Sequence, residues 1–270
     1  MTDATAPHPS APPARMTPRT AARDTAGVAK RNLIRIVRTP RLLVIGALQP
    51  ALLLVLFRYV LGGAIRVPGG SYVDYVVPAI FIEAVLIGGM TTSIGLAEDL
   101  KSGIIDRFRS LPMARSAVLA GRTLADLSRS LLSLAIMVAL GLLVGFHFHA
   151  GAGSIIAGMA LVMVFGYAFS WLYAAIGLAT KDPETAQIAG ILPFFILMFA
   201  SNAIVPVATM PSWLQGFARN QPLSITVAAV RALLEGGPAA SYVWQSLAWS
   251  AGIFIVFFTI ALRLYRDANS

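Results

Sequence analysis

Six apolar runs, at about 42–61, 76–97, 131–148, 155–179, 187–207 and 242–264, dominate the sequence. Each is near the ~20 residues that carry a helix across ~30 Å of hydrocarbon. A backbone in lipid must satisfy its own polar groups, so runs of this kind fold as helices. They predict an all-α integral membrane protein with six transmembrane helices. Composition excludes the soluble alternative: 57% of the 270 residues are hydrophobic and 12% charged, against ~45–50% and ~25% in soluble domains. Mean hydropathy is +0.75. The fifth run is the least regular, and Pro193 and Pro206 are expected to break it.

Residues 1–26 carry Pro7, Pro9, Pro12, Pro13 and Pro18 without an apolar period, which predicts a disordered cytoplasmic tail ahead of one membrane domain over 27–270. An apolar leader core is missing, so a cleavable signal peptide is not expected. From Val28 to Arg38, Ala29, Leu33 and Ile36 share one helical face and Arg31, Arg35 and Arg38 the opposite one. That pattern predicts an N-terminal amphipathic interfacial helix, ended by Pro40; a plain basic flank of the first span is the simpler alternative.

Lysine and arginine placement sets the orientation. Of the 21 basic residues, seventeen fall on the side of the termini and of the 98–130 loop, and four (Arg58, Arg66, Arg219, Arg231) on the other. Both termini are therefore expected in the cytoplasm. The net charge of +9 is accounted for by this bias and by attraction to anionic membrane lipids, and no nucleic-acid partner is expected. Zero cysteines exclude disulfides, iron–sulfur clusters and thiol catalysis.

The loop after the second run reads Glu98-Asp99-Leu100-Lys101-Ser102-Gly103-Ile104-Ile105-Asp106-Arg107-Phe108-Arg109-Ser110-Leu111-Pro112. Between Gly103 and Pro112, apolar Ile104, Ile105, Phe108 and Leu111 alternate with charged Asp106, Arg107 and Arg109. Such a segment suits docking, with apolar knobs for a groove and a charged rim for orientation. A solvated loop that merely obeys the positive-inside rule has the same features.

The run Glu98 to Arg122, with Arg109-Ser110-Leu111-Pro112-Met113-Ala114-Arg115 and then Gly121-Arg122, resembles the permeases of type-2 ABC exporters, in particular the daunorubicin-resistance branch. A second block agrees: Phe199-Ala200-Ser201-Asn202-Ala203-Ile204-Val205-Pro206-Val207, Met210-Pro211-Ser212-Trp213-Leu214, Asn220-Gln221-Pro222-Leu223 and Arg231-Ala232-Leu233. With Arg38-Thr39-Pro40, Gly62-Gly63 and Tyr72-Val73-Asp74-Tyr75, the resemblance covers roughly 30–266. It implies a multi-pass permease of the cell membrane that homodimerises or pairs with a paralogous permease. It also implies export of a lipophilic small molecule with two copies of a separate ATPase subunit. The cytoplasmic coupling helix would be Ser102, Gly103, Ile104, Ile105, Asp106, Arg107, Phe108, Arg109 and Leu111, with a smaller contact at Lys181, Asp182 and Glu184. An external gate would lie around Asn202, Pro206 and Trp213. No cofactor is expected in this chain; ATP and magnesium would sit on the partner. Consistently, Lys30, Lys101 and Lys181 follow Ala29, Leu100 and Thr180, where a Walker A lysine follows glycine. The chain is thus expected to be a transport subunit and not itself an enzyme.

Glu83 lies inside the second run, where a carboxylate is a functional candidate by default. It could meet a cationic substrate, pair with Arg58 near the outer end of the first span, or make a structural hydrogen bond to a neighbouring helix. Residues 208–237 are too polar to span and too apolar for a free loop, and predict a broken outer segment between the fifth and sixth helices. A Trp213 anchor at the interface is the plain alternative to a gate. His147 and His149 lack a third ligand nearby, so no metal is expected. A membrane serine protease is disfavoured because no Gly-x-Ser-x-Gly motif occurs. Rival functions are export of a lipid-linked glycan or surface polymer and, in another class, a non-transporting anchor or sensor. A neighbouring reading frame with Walker motifs would separate transporter from anchor.

Overall fold

The computed structural model describes residues 40–65, 67, 71–102 and 115–267, and side chains over 48–65, 67, 71–102 and 126–265. The amphipathic segment 28–38, Arg66, and Gly103, Ile104, Ile105, Asp106, Arg107, Phe108, Arg109 and Leu111 of the docking loop lie outside the described residues. Within them the chain forms eight α-helices and no strand. They are α1 (Pro40–Leu56, continued by a π turn Phe57–Leu61), α2 (Tyr72–Lys101), α3 (Arg115–Leu143), α4 (Ala152–Thr180), α5 (Pro183–Phe199), α6 (Ser212–Asn220), α7 (Pro222–Glu235) and α8 (Ala240–Asp267). Four, namely α2, α3 over Asp126–Leu143, α4 and α8, are long and apolar enough to cross a membrane; Leu48–Leu61 and α5 are shorter apolar helices.

The centre of the bundle is α2. It packs against α1, α3, α4, α5 and α7, and every residue from Val76 to Leu86 is buried. A helix covered on all sides has no polar stripe to display, which is why this run carries no helical period. Ser71 caps it, its hydroxyl accepting from the Val73 amide at 3.2 Å. The α2–α4 contact is close because glycines line it. A Cβ on Gly177 would collide with the Ser93 carbonyl, and one on Gly166 with the Val85 side chain. Without a hydrophobic drive between helices in lipid, such close approach is the main source of association.

Several boundaries depart from those expected. Pro40 opens α1, as suits a residue whose missing N–H would be unpaired in a first turn. Helix α3 starts at Arg115, well before the apolar run at 131. Hydropathy registers only the apolar part of a helix, and this first stretch carries Arg115, Arg122, Asp126 and Arg129. The same helix stops at Leu143, not 148, because Gly145 takes φ +95° and the Phe146 amide bonds back to the Gly141 carbonyl at 3.0 Å. The run reads longer because Phe146 folds back edge-on to Phe81 and Phe148, at centroid distances of 5.9 and 5.0 Å. Pro193 lies inside α5 without ending it, and Pro206 falls beyond its end, so the break sits at 200–206. There the Ser201 hydroxyl donates to Met198 O at 2.7 Å and accepts from the Ala203 amide at 3.0 Å. Where a broken segment is expected, α6 and α7 are short helices, and α7 packs on α2, α4 and α8.

Candidate functional site

Glu83 stands eleven residues from the N-terminal end of α2, roughly 16 Å at 1.5 Å per residue. Because α2 is enclosed, Glu83 is 1% exposed, and neither carboxylate oxygen has a hydrogen-bond partner among the described residues. The structural hydrogen bond considered for it is therefore not made among the described residues. Nor does it pair with Arg58, whose Nε donates to Val144 O at 3.2 Å and whose guanidinium lies 5.7 Å from the Tyr59 ring. What Glu83 does reach is a cleft of about 500 Å³ between α1 and α5, lined by Leu48, Gln49, Leu52, Phe57, Phe194, Phe195, Met198 and Phe199 among others. Its walls are thus aromatic and aliphatic, with a single carboxylate.

A second cleft, of about 750 Å³, opens at the N-terminal end of α2 and is lined by Asp74, Tyr75, His149, Asn202, Pro206, Arg231 and Glu235 among others. Arg231 organises it. Its guanidinium lies 3.6 Å from the Tyr75 ring centroid and donates to Tyr75 O from Nε at 3.1 Å and Nη2 at 2.7 Å. Nη2 also reaches Asn202 O at 3.3 Å. The Tyr75 hydroxyl donates to the same Asn202 oxygen at 2.9 Å, and the Tyr72 hydroxyl to Ile204 O at 3.1 Å. The 200–206 turn is thereby stitched to both α2 and α7. Trp213 is not part of this wall: it is 79% exposed on α6.

At the opposite end Lys101, the last residue of α2, donates to Asp182 Oδ1 at 2.8 Å. A two-residue turn joins α4 to α5 there: Lys181 takes φ 55°, and Asp182 caps α5 ahead of Pro183. Asp182 Oδ2 accepts from the Thr185 amide at 3.1 Å and hydroxyl at 3.0 Å. Lys101, Ser102, Lys181 and Glu184 are exposed around it. The bonded Lys101 ammonium, followed by the two Thr185 donors, holds the Asp182 carboxyl down to about 2. A depressed acid contributes stability above its unfolded pKa of ~3.9 and loses it as pH falls through the folded value. Asp182→Asn should keep the cap and lose the ion pair, whereas Asp182→Ala should lose both. Melting temperatures should fall in the order wild type, Asn, Ala, and only the first gap should shrink in high salt. Equal melting of all three would show that this turn contributes nothing.

The ABC-2 type transporter family matches residues 25–234. The chain belongs to that family. Among its relatives is a daunorubicin resistance ABC transporter permease protein, DrrB1, of Streptomyces coeruleorubidus, 35% identical over 223 residues, 83% of this chain and 79% of the relative. Another, named a probable doxorubicin resistance ABC transporter permease protein, DrrC, of Mycobacterium tuberculosis, is 32% identical over 230 residues, 84% and 83% of the two chains. A doxorubicin resistance permease protein, DrrB, of the same species is 29% identical over 172 residues, 64% and 60%.

In this ABC-2 transporter, a multi-pass membrane protein, the structure joins Lys101 to Asp182 and brings Asn202 and Pro206 into one cleft at the N-terminal end of α2. Glu83 and Arg58 stay apart in their contacts, and Trp213 lies outside both clefts. Two clusters went unread in the sequence. One is Arg231 with Tyr75. An arginine among Val227, Ala229, Val230 and Leu234, all buried, was its signal. The other joins α2 to α3: Thr92 Oγ1 donates to Asp126 Oδ2 at 2.8 Å, and Arg129 Nη2 donates to Gly88 O at 2.7 Å and Asp126 Oδ1 at 3.0 Å. The pair of opposite charges three apart at the edge of an apolar run was legible there. No group of residues suited to a metal ion occurs among the described residues.

Proposed function

We propose that this chain is the permease half of an ATP-driven exporter of the cell membrane, moving a lipophilic compound outward with two copies of a separate ATPase subunit. It acts as a homodimer or beside a paralogous permease, as one membrane domain over 27–270 behind a cytoplasmic tail. ATP and magnesium belong to the partner. The drug-resistance names of the relatives support a drug-like cargo. In this reading α1 and α5 also span, giving six spans with both termini cytoplasmic.

The observation that carries the coupling mechanism is the Lys101–Asp182 pair. It fastens the end of α2, immediately before Ser102–Leu111, to the turn between α4 and α5. A force applied by the ATPase at either place then reaches both α2, the hub of the bundle, and α5, a wall of the Glu83 cleft. Closure of an ATP-bound partner becomes a tilt of packed helices. Purification with a partner ATPase subunit should give ATPase activity that lipophilic compounds stimulate. Absence of a stable complex would reject the reading.

The orientation has its own test. A reporter active only outside the cell should be silent within 112–125 or after Arg266, and active within 149–153. The inverse pattern would place Lys101 and Asp182 on the wrong side for an ATPase.

A further inference from the structure

We propose that the cleft at Glu83 is the membrane-level binding site for a lipophilic monovalent cation, with Glu83 as its counter-ion; this rests on the export reading and names the cargo class. Three observations converge. Glu83 is almost wholly buried, yet both of its oxygens lack a protein partner among the described residues. Such a group is costly in the membrane and is kept where a function needs it. Second, it borders a cavity of about 500 Å³, the size range of small-molecule sites. Third, the facing wall is aromatic: Phe194 meets Phe195 edge-on at 5.7 Å, and Phe195 stacks on Phe199 at 5.4 Å. Ring faces attract a desolvated cation, and the hydrocarbon walls accept its apolar body.

Entry is from the side. Leu52 and Phe199, 60% exposed each, flank the mouth between α1 and α5, so a cation already dissolved in the bilayer meets the cleft without crossing water. Gln49 at the same mouth is exposed and polar but uncharged. Charge selection therefore falls to Glu83. Arg58, the nearest arginine in sequence on α1, is held by Val144 O and does not compete.

The probes are tetraphenylphosphonium and tetraphenylborate, ions of the same size and shape and opposite charge. Equilibrium dialysis against the full-length permease in zwitterionic nanodiscs, corrected for empty discs, should show saturable binding of the phosphonium and none of the borate. Glu83→Gln should weaken phosphonium binding about tenfold or more, while Glu83→Asp, judged beside it for folding, should keep the preference for the cation. Equal binding of both ions by the wild type would overturn the proposal. So would undiminished phosphonium binding by Glu83→Gln, or no saturable site at all, as when a second copy of the chain fills the cleft. Proteoliposomes holding permease and ATPase separate the two ideas. Cation-selective binding without ATP-driven phosphonium movement would sink the export reading and leave the site standing. ATP-driven movement that Glu83→Gln does not alter would do the reverse.

Discussion

Gly177→Val is expected to abolish accumulation of folded permease. The new side chain would have to occupy the space of the Ser93 carbonyl, and the Ser93 C and Cα lie 3.0 Å from where its Cβ would stand. Backbone inside a packed helix cannot swing aside as a side-chain end can. The cost should sit at or above the top of the ~1–3 kcal/mol typical of overpacking, and it falls on α2, against which five other helices pack. Gly166→Val meets only the Val85 side chain and should be milder. Gly252→Val, on α8 with nothing within 4 Å, carries the same change in helix propensity and should be close to neutral. Size-exclusion profiles and thermal melts in detergent would rank the three. Equal tolerance at 177 and 252 would contradict the close α2–α4 approach.

Phe108→Ala is expected to lower recovery of the ATPase with the permease more than tenfold while leaving membrane insertion normal. Among Ile104, Ile105, Phe108 and Leu111, the phenylalanine offers the largest apolar surface to a groove. Loss of a buried aromatic anchor costs ~2 kcal/mol or more at an interface hot spot, which corresponds to more than a factor of ten in affinity. Arg107→Ala and Arg109→Ala should be milder and should act through a salt-sensitive association rate. Lys101→Ala supplies the internal comparison. It leaves the docking segment's apolar knobs intact but frees Asp182, so recovery of the complex should persist while substrate-stimulated ATPase falls. Co-purification and stimulated hydrolysis, measured side by side, distinguish lost docking from lost transmission. Undiminished recovery and transport for Phe108→Ala would leave the coupling segment without support.

What the sequence made legible follows from what hydropathy and spacing measure. The apolar runs locate the helical segments because burial in lipid and burial in protein demand the same side chains. The same fact hides boundaries. Phe146 and Phe148 extend the third run on paper although Gly145 has already ended the helix, and the polar start of α3 at Arg115 carries no hydropathy signal. Glu83 was visible as an acid in an apolar run, but its surroundings were not. Whether it met Arg58, a hydrogen bond or a cleft depended on how α1 and α5 close over α2, a matter of tertiary packing. Lys101 and Asp182, 81 residues apart, could be nominated separately by their loops; only the fold makes them a pair. Arg231 counted as one outer positive charge until its stack on Tyr75 and its bonds to two carbonyls gave it a structural task.

If this permease moves a lipophilic compound at the expense of ATP hydrolysed by another subunit, transport requires both subunits in one membrane. Proteoliposomes containing the permease alone, the ATPase alone, or both test it most directly, loaded with tetraphenylphosphonium as the transported probe and supplied with ATP from the ATPase side. Movement away from that side is expected only when both subunits and hydrolysable ATP are present, and is lost with Phe108→Ala. Movement by the permease alone, or its absence in a complex that hydrolyses ATP normally across a panel of lipophilic compounds, would contradict it.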